Sequence, residues 1–135
     1  MSEKLPFRFG SEVYTWFMSG NGATHQGRLG HMIEIIAQAG FTGIQPIFTW
    51  MGELVDPDRL EAKLKEQGIE LAAVALALEW NGEEETQSER IVANNAISLL
   101  ERFPGAVLNT VQIPTGRHDL EARRRSLVNI VNTVS

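Results

Sequence analysis

Apolar residues along this chain alternate between a helical spacing of three to four and a strand-like spacing of one to two, and glycine marks the change of rhythm. The clearest instance is LGHMIEIIAQAG followed by FTGIQPIF, residues 29–48. Leu29, Met32, Ile33, Ile36, Ala37 and Gly40 fall on one side of a helix, and Gly40 stands where a left-handed C-terminal cap is expected. Phe41, Ile44 and Ile47 then give a short strand. Pro46 ends it, because proline has no N–H to donate to a ladder. A helix that runs straight into a strand is half of a parallel βαβ crossover.

The same unit recurs on both sides. Residues 7–13 alternate Phe7, Phe9, Ser11 and Val13 with Arg8, Gly10 and Glu12, which predicts a first strand. The glycines and polar residues of 14–27 predict a long loop, and residues 49–55, carrying Trp50, Met51 and Glu53, a second one. Asp56-Pro57 is an N-cap with proline at the first helical position; Leu60 and Leu64 make the buried stripe, Glu61 and Lys65 a surface pair, and Gly68 the stop. Residues 69–78 form an unbroken apolar run, the mark of a strand covered on both faces. Val74, Leu76 and Leu78 fall on one face and Leu71, Ala73, Ala75 and Ala77 on the other, and this small face predicts close approach of another layer. An acidic loop, 79–85, leads to Thr86 and Glu89 at capping-box spacing. The helix they open has Val92, Ala96, Leu99, Leu100 and Phe103 as its stripe and ends at Pro104-Gly105. A fourth strand over 106–113 exits through 114–118, and Asp119 caps a last helix whose expected inner stripe is Leu120, Leu127, Ile130, Val131 and Val134.

Strand starts near residues 7, 41, 69 and 106 give a repeat of roughly 33 residues, close to the ~31 of a (β/α)8 barrel of ~250 residues. The expected fold is therefore α/β, four βα units with a parallel sheet, forming half of a TIM barrel as one partial domain over residues 1–135. A complete four-stranded doubly wound sheet has the same periodicity. Its dinucleotide-binding form is disfavoured, since no GxGxxG follows the first strand.

Composition narrows the function classes. A chain of 135 residues with 43% hydrophobic content can bury a core. It has no cysteine, which removes disulfide frameworks and thiolate metal sites. No apolar signal-peptide core is present near the N-terminus, and the longest apolar run, 71–78, is too short for a bilayer span, so a cytoplasmic protein without a membrane partner is expected. The net charge of −5, with cations scattered apart from Arg123-Arg124-Arg125, argues against nucleic acid; that triplet reads as a solvated helix face.

Gly40-Phe41-Thr42-Gly43-Ile44 and the entry to the third strand over residues 64–71 resemble the turns of the xylose isomerase-like barrel superfamily, the sugar phosphate isomerases and epimerases with their inosose dehydratase relatives. The resemblance spans the chain as a pattern and matches the N-terminal half of such a barrel. It implies a sugar or sugar phosphate ligand and a divalent metal (Mn, Co, Mg or Zn) that polarises hydroxyl and carbonyl oxygens while carboxylates move a proton. In the isomerase branch the metal ligands lie on strands five to eight, so this chain is expected to supply neither a complete metal site nor catalytic residues. The endonuclease IV branch is disfavoured, because Ile113-Pro114-Thr115-Gly116 stands where its His-Pro-Gly motif would be.

Barrel sites are built at the C-terminal ends of strands, which nominates Tyr14 and Trp16 after the first strand and Gln45, Phe48 and Trp50 after the second. Glu79 after the third and His118 after the fourth complete the set. The aromatic residues could stack on a sugar face, or simply pack the loops. Many relatives carry glutamate at the place of Gln45, and an amide binds a hydroxyl but cannot serve as a base. Glu79 reads equally as an exposed loop acid, and His118, beside Arg117, as a phosphate contact or a residue preceding a cap. Two functional classes follow: a partial sugar isomerase/epimerase-like enzyme, inactive alone, or a carbohydrate-binding or interaction module without chemistry. Exposed strand edges in half a barrel further predict a homodimer that completes it.

Overall fold

The helix expected over residues 29–40 forms as α1 (Leu29–Gln38), burying Leu29, Met32, Ile33 and Ile36. Its exit is the expected one: Gly40 (φ +89°) donates to Ala37 O and Phe41 to Ile36 O, so two of the orphaned last-turn carbonyls are satisfied. The computed structural model describes residues 8–13, 27–113 and 119–135. Residues 1–7, with Phe7, and residues 14–26 and 114–118, where loops were expected, lie outside the described residues.

The same logic builds α2 (Pro57–Gln67). Asp56 accepts from the N–H groups of Asp58 and Arg59, Leu60 and Leu64 are buried, and Gly68 (φ +66°) closes the helix with the double bond pattern seen at Gly40. Helix α3 (Gln87–Leu100) opens on a complete capping box, with Glu89 N–H on Thr86 Oγ1 at 3.1 Å and Thr86 N–H on Glu89 Oε1 at 2.9 Å. Helix α4 (Leu120–Val134) is capped by Asp119 through Ala122 N–H.

The described strands are parallel and lie in two small sheets: β1 (Gly10–Glu12), β2 (Gly43–Gln45) and β3 (Glu70–Leu71) in one, β4 (Ala73–Leu78) and β5 (Val107–Gln112) in the other. Each strand pairs with its neighbour in sequence. The single strand expected over 69–78 is thus two, parted at Ala72. Ile44 lies opposite Leu71, whereas Ile47, three residues on, lies opposite Ala75, four residues on. One extra residue is inserted, and the ladder is re-aimed there as at a bulge. The backbone spans the break: Ala72 donates to Ile44 O, Ala75 to Pro46 O and Val107 to Ala72 O.

Alternation of side chains sorts the strands into two faces. Val13, Ile44, Val74 and Leu76 are fully enclosed and form one cluster with the inner stripes of α1, α2 and α3. Each such side chain contributes about 1.5–3 kcal/mol of burial. The other face carries Glu12, Gln45, Ile47, Ala75, Ala77, Asn109 and Val111. On the alanine face of the third strand Ala73 and Ala75 are buried, the 3-10 turn over Phe48–Trp50 lies against the strand, and Ala75 and Ala77 line a groove.

The inner stripe expected for the last helix is also corrected. Leu120 (77% exposed), Leu127 (63%) and Val131 (59%) face outward; only Ile130 and Val134 touch the core. The buried residues of α4 are Ser126, Asn129 and Thr133. Gln112 Nε2 donates to Ser126 Oγ at 2.7 Å, Asn129 Nδ2 to Gly82 O at 3.0 Å, and Thr133 Oγ1 to Glu85 Oε2 at 2.6 Å. Arg90 of α3 pairs with Glu85 and reaches Asn132 O. The helix is rotated because the loop over 79–85 presents a carbonyl and a carboxylate that, once covered, must be hydrogen-bonded.

Candidate functional site

The C-terminal halves of the strands enclose a groove of about 360 Å³ on the open face. Glu12 of β1, Gln45 of β2 and Asn109 of β5 point into it from one side of their strands, with Ile47, Ala75, Ala77 and Val111 as the apolar floor and Thr49, Trp50 and Ile113 at the rim. The polar groups are linked. Gln45 Nε2 donates to Glu12 Oε2 at 3.3 Å, and Asn109 Nδ2 donates to Gln45 Oε1 at 3.5 Å. The second bond spans the width of β4, where Ala75, paired with Asn109 and lining the same groove, keeps the gap between the two amides small-walled.

The register explains why these three converge. Glu12 pairs with Gln45 directly, Ala75 pairs with Asn109, and the inserted residue near Ala72 sets Ala75 opposite Ile47, on the same face as Gln45. Glu12 is the one titratable group among the described lining residues, and no lysine, arginine or histidine joins it there. The groove's lining therefore carries one carboxylate and three carboxamides, of which Gln112 already donates to Glu79 O and Ser126 Oγ while Gln45 and Asn109 join Glu12, and these acceptors and donors suit hydroxyl groups beside an apolar floor.

Of the residues nominated from sequence, Gln45 and Trp50 line this groove. Phe48 is buried in the core, in a 3-10 turn (Phe48–Trp50), and Met51 is buried beside it. Glu79 is exposed; its carboxylate accepts from Asn81 Nδ2 at 3.1 Å and its carbonyl from Gln112 Nε2 at 3.3 Å. Tyr14, Trp16 and His118 lie outside the described residues. Glu12 and Asn109 were missed. The strand alternation already set Glu12 opposite the buried face, but nothing in a single strand tells that Asn109 meets the same partner.

Trp80, just after β4, is wholly enclosed and adopts φ +43°, a left-handed conformation that costs a bulky residue strain. Its N–H donates to Glu89 Oε2 at 2.7 Å, so one carboxylate holds both the strand exit and the start of α3. Its indole Nε1 has no hydrogen-bond partner.

A larger depression, about 750 Å³, lies at the N-terminal ends of the strands. Its charges are spent on one another, Arg8 with Glu70, Lys65 with Glu61, and Arg102 with Glu61 and Asp58. The smaller groove, where polar groups converge on an apolar floor, is the candidate site.

Among the described residues no three histidine, aspartate or glutamate side chains gather as metal ligands, and a lone Glu12 beside two amides does not fit a divalent-metal site by itself. No described helix is long and apolar enough to cross a membrane. Comparison with protein-family models, with curated proteins and with solved structures finds no match to this chain.

Proposed function

We propose that the groove is the ligand-binding half of a (β/α)8-barrel site and that it takes a small, neutral, polyhydroxylated molecule of the sugar or polyol class. The observation that carries this reading is the linked Glu12, Gln45 and Asn109 set, a carboxylate and two amides joined on one groove wall. Adjacent hydroxyls on a sugar can each donate to the carboxylate or exchange bonds with an amide, and the floor of Ile47, Ala75 and Ala77 suits the ring's apolar face.

The barrel frame is supported by three features: parallel strands paired in sequence order, described α-helices packed on the face that carries Val13, Ile44, Val74 and Leu76, and a groove at the C-terminal strand ends. A doubly wound sheet reverses strand order and carries helices on both faces. In this reading the chain is isomerase/epimerase-like in frame. It supplies binding groups, while proton transfer and any metal belong to groups outside these four units, so the isolated chain turns nothing over.

The uncompensated carboxylate favours neutral ligands over sugar phosphates, which would bring a dianion toward Glu12. Calorimetric titration with neutral ketoses, aldoses and inositols, beside the matching phosphates, tests this. Binding of a neutral ligand that is lost in Glu12→Ala is expected. Tighter binding of the phosphate, or binding indifferent to both Glu12→Ala and Asn109→Ala, would remove the reading. Metal-dependent isomerisation by the purified chain with Mn, Co, Mg or Zn would show that the chemistry resides here after all.

A further inference from the structure

We infer that Asn81-Gly82 is a self-modifying site: the Gly82 backbone nitrogen attacks the Asn81 side-chain amide, and the aspartate or isoaspartate that results loosens the hold of the 79–85 loop on α4. The inference is independent of the ligand assigned to the groove. Asn81 is exposed and lies in the irregular stretch between β4 and α3, where neither ladder nor helix fixes the backbone. The next residue is glycine, which has no Cβ to shield its nitrogen and the widest choice of φ and ψ, so that nitrogen can turn onto the preceding side chain. Among the described residues the Gly82 N–H donates to no partner, so no hydrogen bond is broken when it reacts. The amide under attack is oriented from its other side, Asn81 Nδ2 donating to Glu79 Oε2 at 3.1 Å. The step balances without oxidant or cofactor. A bond forms from Gly82 N to Asn81 Cγ, the Cγ–Nδ2 bond breaks, and ammonia leaves with the proton that Gly82 N gave up. Water then opens the cyclic imide at either carbonyl, giving aspartate or isoaspartate.

What the reaction alters is the seat of α4. Gly82 O accepts from Asn129 Nδ2 at 3.0 Å, and Asn129 is one of the buried polar residues on which that helix rests. Isoaspartate routes the main chain through the former side chain, adding a methylene just before Gly82 and displacing the carbonyl that Asn129 needs. A covered amide that loses its partner is costly. Aspartate keeps the backbone but adds a carboxylate to a stretch that already holds Glu79, Glu83, Glu84 and Glu85. The loop has little room to absorb either change, since a Cβ at Gly82 would stand 2.9 Å from Glu84 O. The coupling runs both ways. The Asn129 bond restrains Gly82 and so slows the turn its nitrogen has to make, while the product removes the restraint.

The test is ageing of the folded 135-residue chain in warm, mildly alkaline buffer, followed by peptide mapping, in an Asn21→Gln background that removes the chain's other Asn-Gly pair. The peptide carrying Asn81 is expected to gain the mass of an amide-to-acid conversion and to split into aspartate and isoaspartate forms. Asn81→Gln, whose longer side chain closes the ring poorly, should stay unmodified and keep its stability on ageing. Asn129→Ala should speed the conversion about two- to tenfold, the effect of one lost hydrogen bond on local opening. That variant also leaves a covered carbonyl unpaired, so its α4 protection is measured before ageing; the wild-type and Asn81→Gln arms stand without it. The aged chain should unfold at lower urea and lose hydrogen-exchange protection in α4 while α1 and α2 keep theirs, with a smaller loss in Asn81→Asp, which carries the charge without the rerouted backbone. An Asn81 that persists in the folded chain while the same peptide converts in urea overturns the site. Conversion that leaves α4 protection and the urea midpoint unchanged overturns the coupling to the helix.

Discussion

Asn109 on β5 donates to Gln45 on β2, 3.5 Å away, over the alanines of the intervening strand. That single reach joins three strands into one polar surface and depends on a residue that makes no hydrogen bond through its own side chain. Ala75→Leu is therefore expected to part the two amides and fill the groove floor. It should lower stability by about 1–3 kcal/mol through overpacking and abolish ligand binding, read by chemical denaturation and calorimetry together.

Asn109→Ala separates the site from the fold. Asn109 is exposed, so its loss should change stability by no more than about 0.5 kcal/mol. Affinity for a bound sugar should fall by up to about tenfold, the worth of one neutral hydrogen bond. A variant that loses stability instead of affinity would assign Asn109 to the scaffold.

The capping box of α3 makes a graded prediction. Thr86→Ala removes one bond to the Glu89 N–H and should cost about 1 kcal/mol. Glu89→Ala orphans two N–H groups, those of Thr86 and of the strained Trp80, and should cost more, about 1–3 kcal/mol. Urea midpoints of the two variants check the order, and equal losses would remove the role given to Glu89 at the strand exit.

Docking of α4 should depend on pH. The hydrogen bond from Thr133, and after it the bond and charge of Arg90, hold the Glu85 carboxyl below its ordinary value. A carboxylate with a depressed folded-state pKa stabilises the fold above its unfolded pKa, and that contribution is lost as pH falls through the folded one. The melting temperature should therefore drop on acidification below the ordinary carboxylate range, and Thr133→Val should flatten the drop as well as lower stability at neutral pH. The Glu34 carboxyl, lowered by its bond to Lys63, adds to the same acid loss, so Lys63→Met should flatten it independently of the Thr133 change.

The elements followed from local chemistry. Helix ends at Gly40, Gly68, Asp56 and Thr86 were legible because a cap is decided within a few residues by which N–H or carbonyl lacks a partner. The stripes of α1 and α2 were legible because apolar residues at helical spacing have to leave water together, on one face of one helix. The rotation of α4 was not legible. Its Leu and Val residues outnumber its buried polar ones, and only the loop carrying Gly82 O and Glu85 makes Ser126, Asn129 and Thr133 the better inward face. The groove divides in the same way. Gln45 could be nominated from its position at a strand exit, and Glu12 from strand alternation, but Asn109 joins them through a register offset by one residue near Ala72. Local sequence sets where hydrogen bonds must be capped and which side of an element is apolar. Which residues meet across strands is set by pairing register, a relation between distant segments that no local pattern encodes.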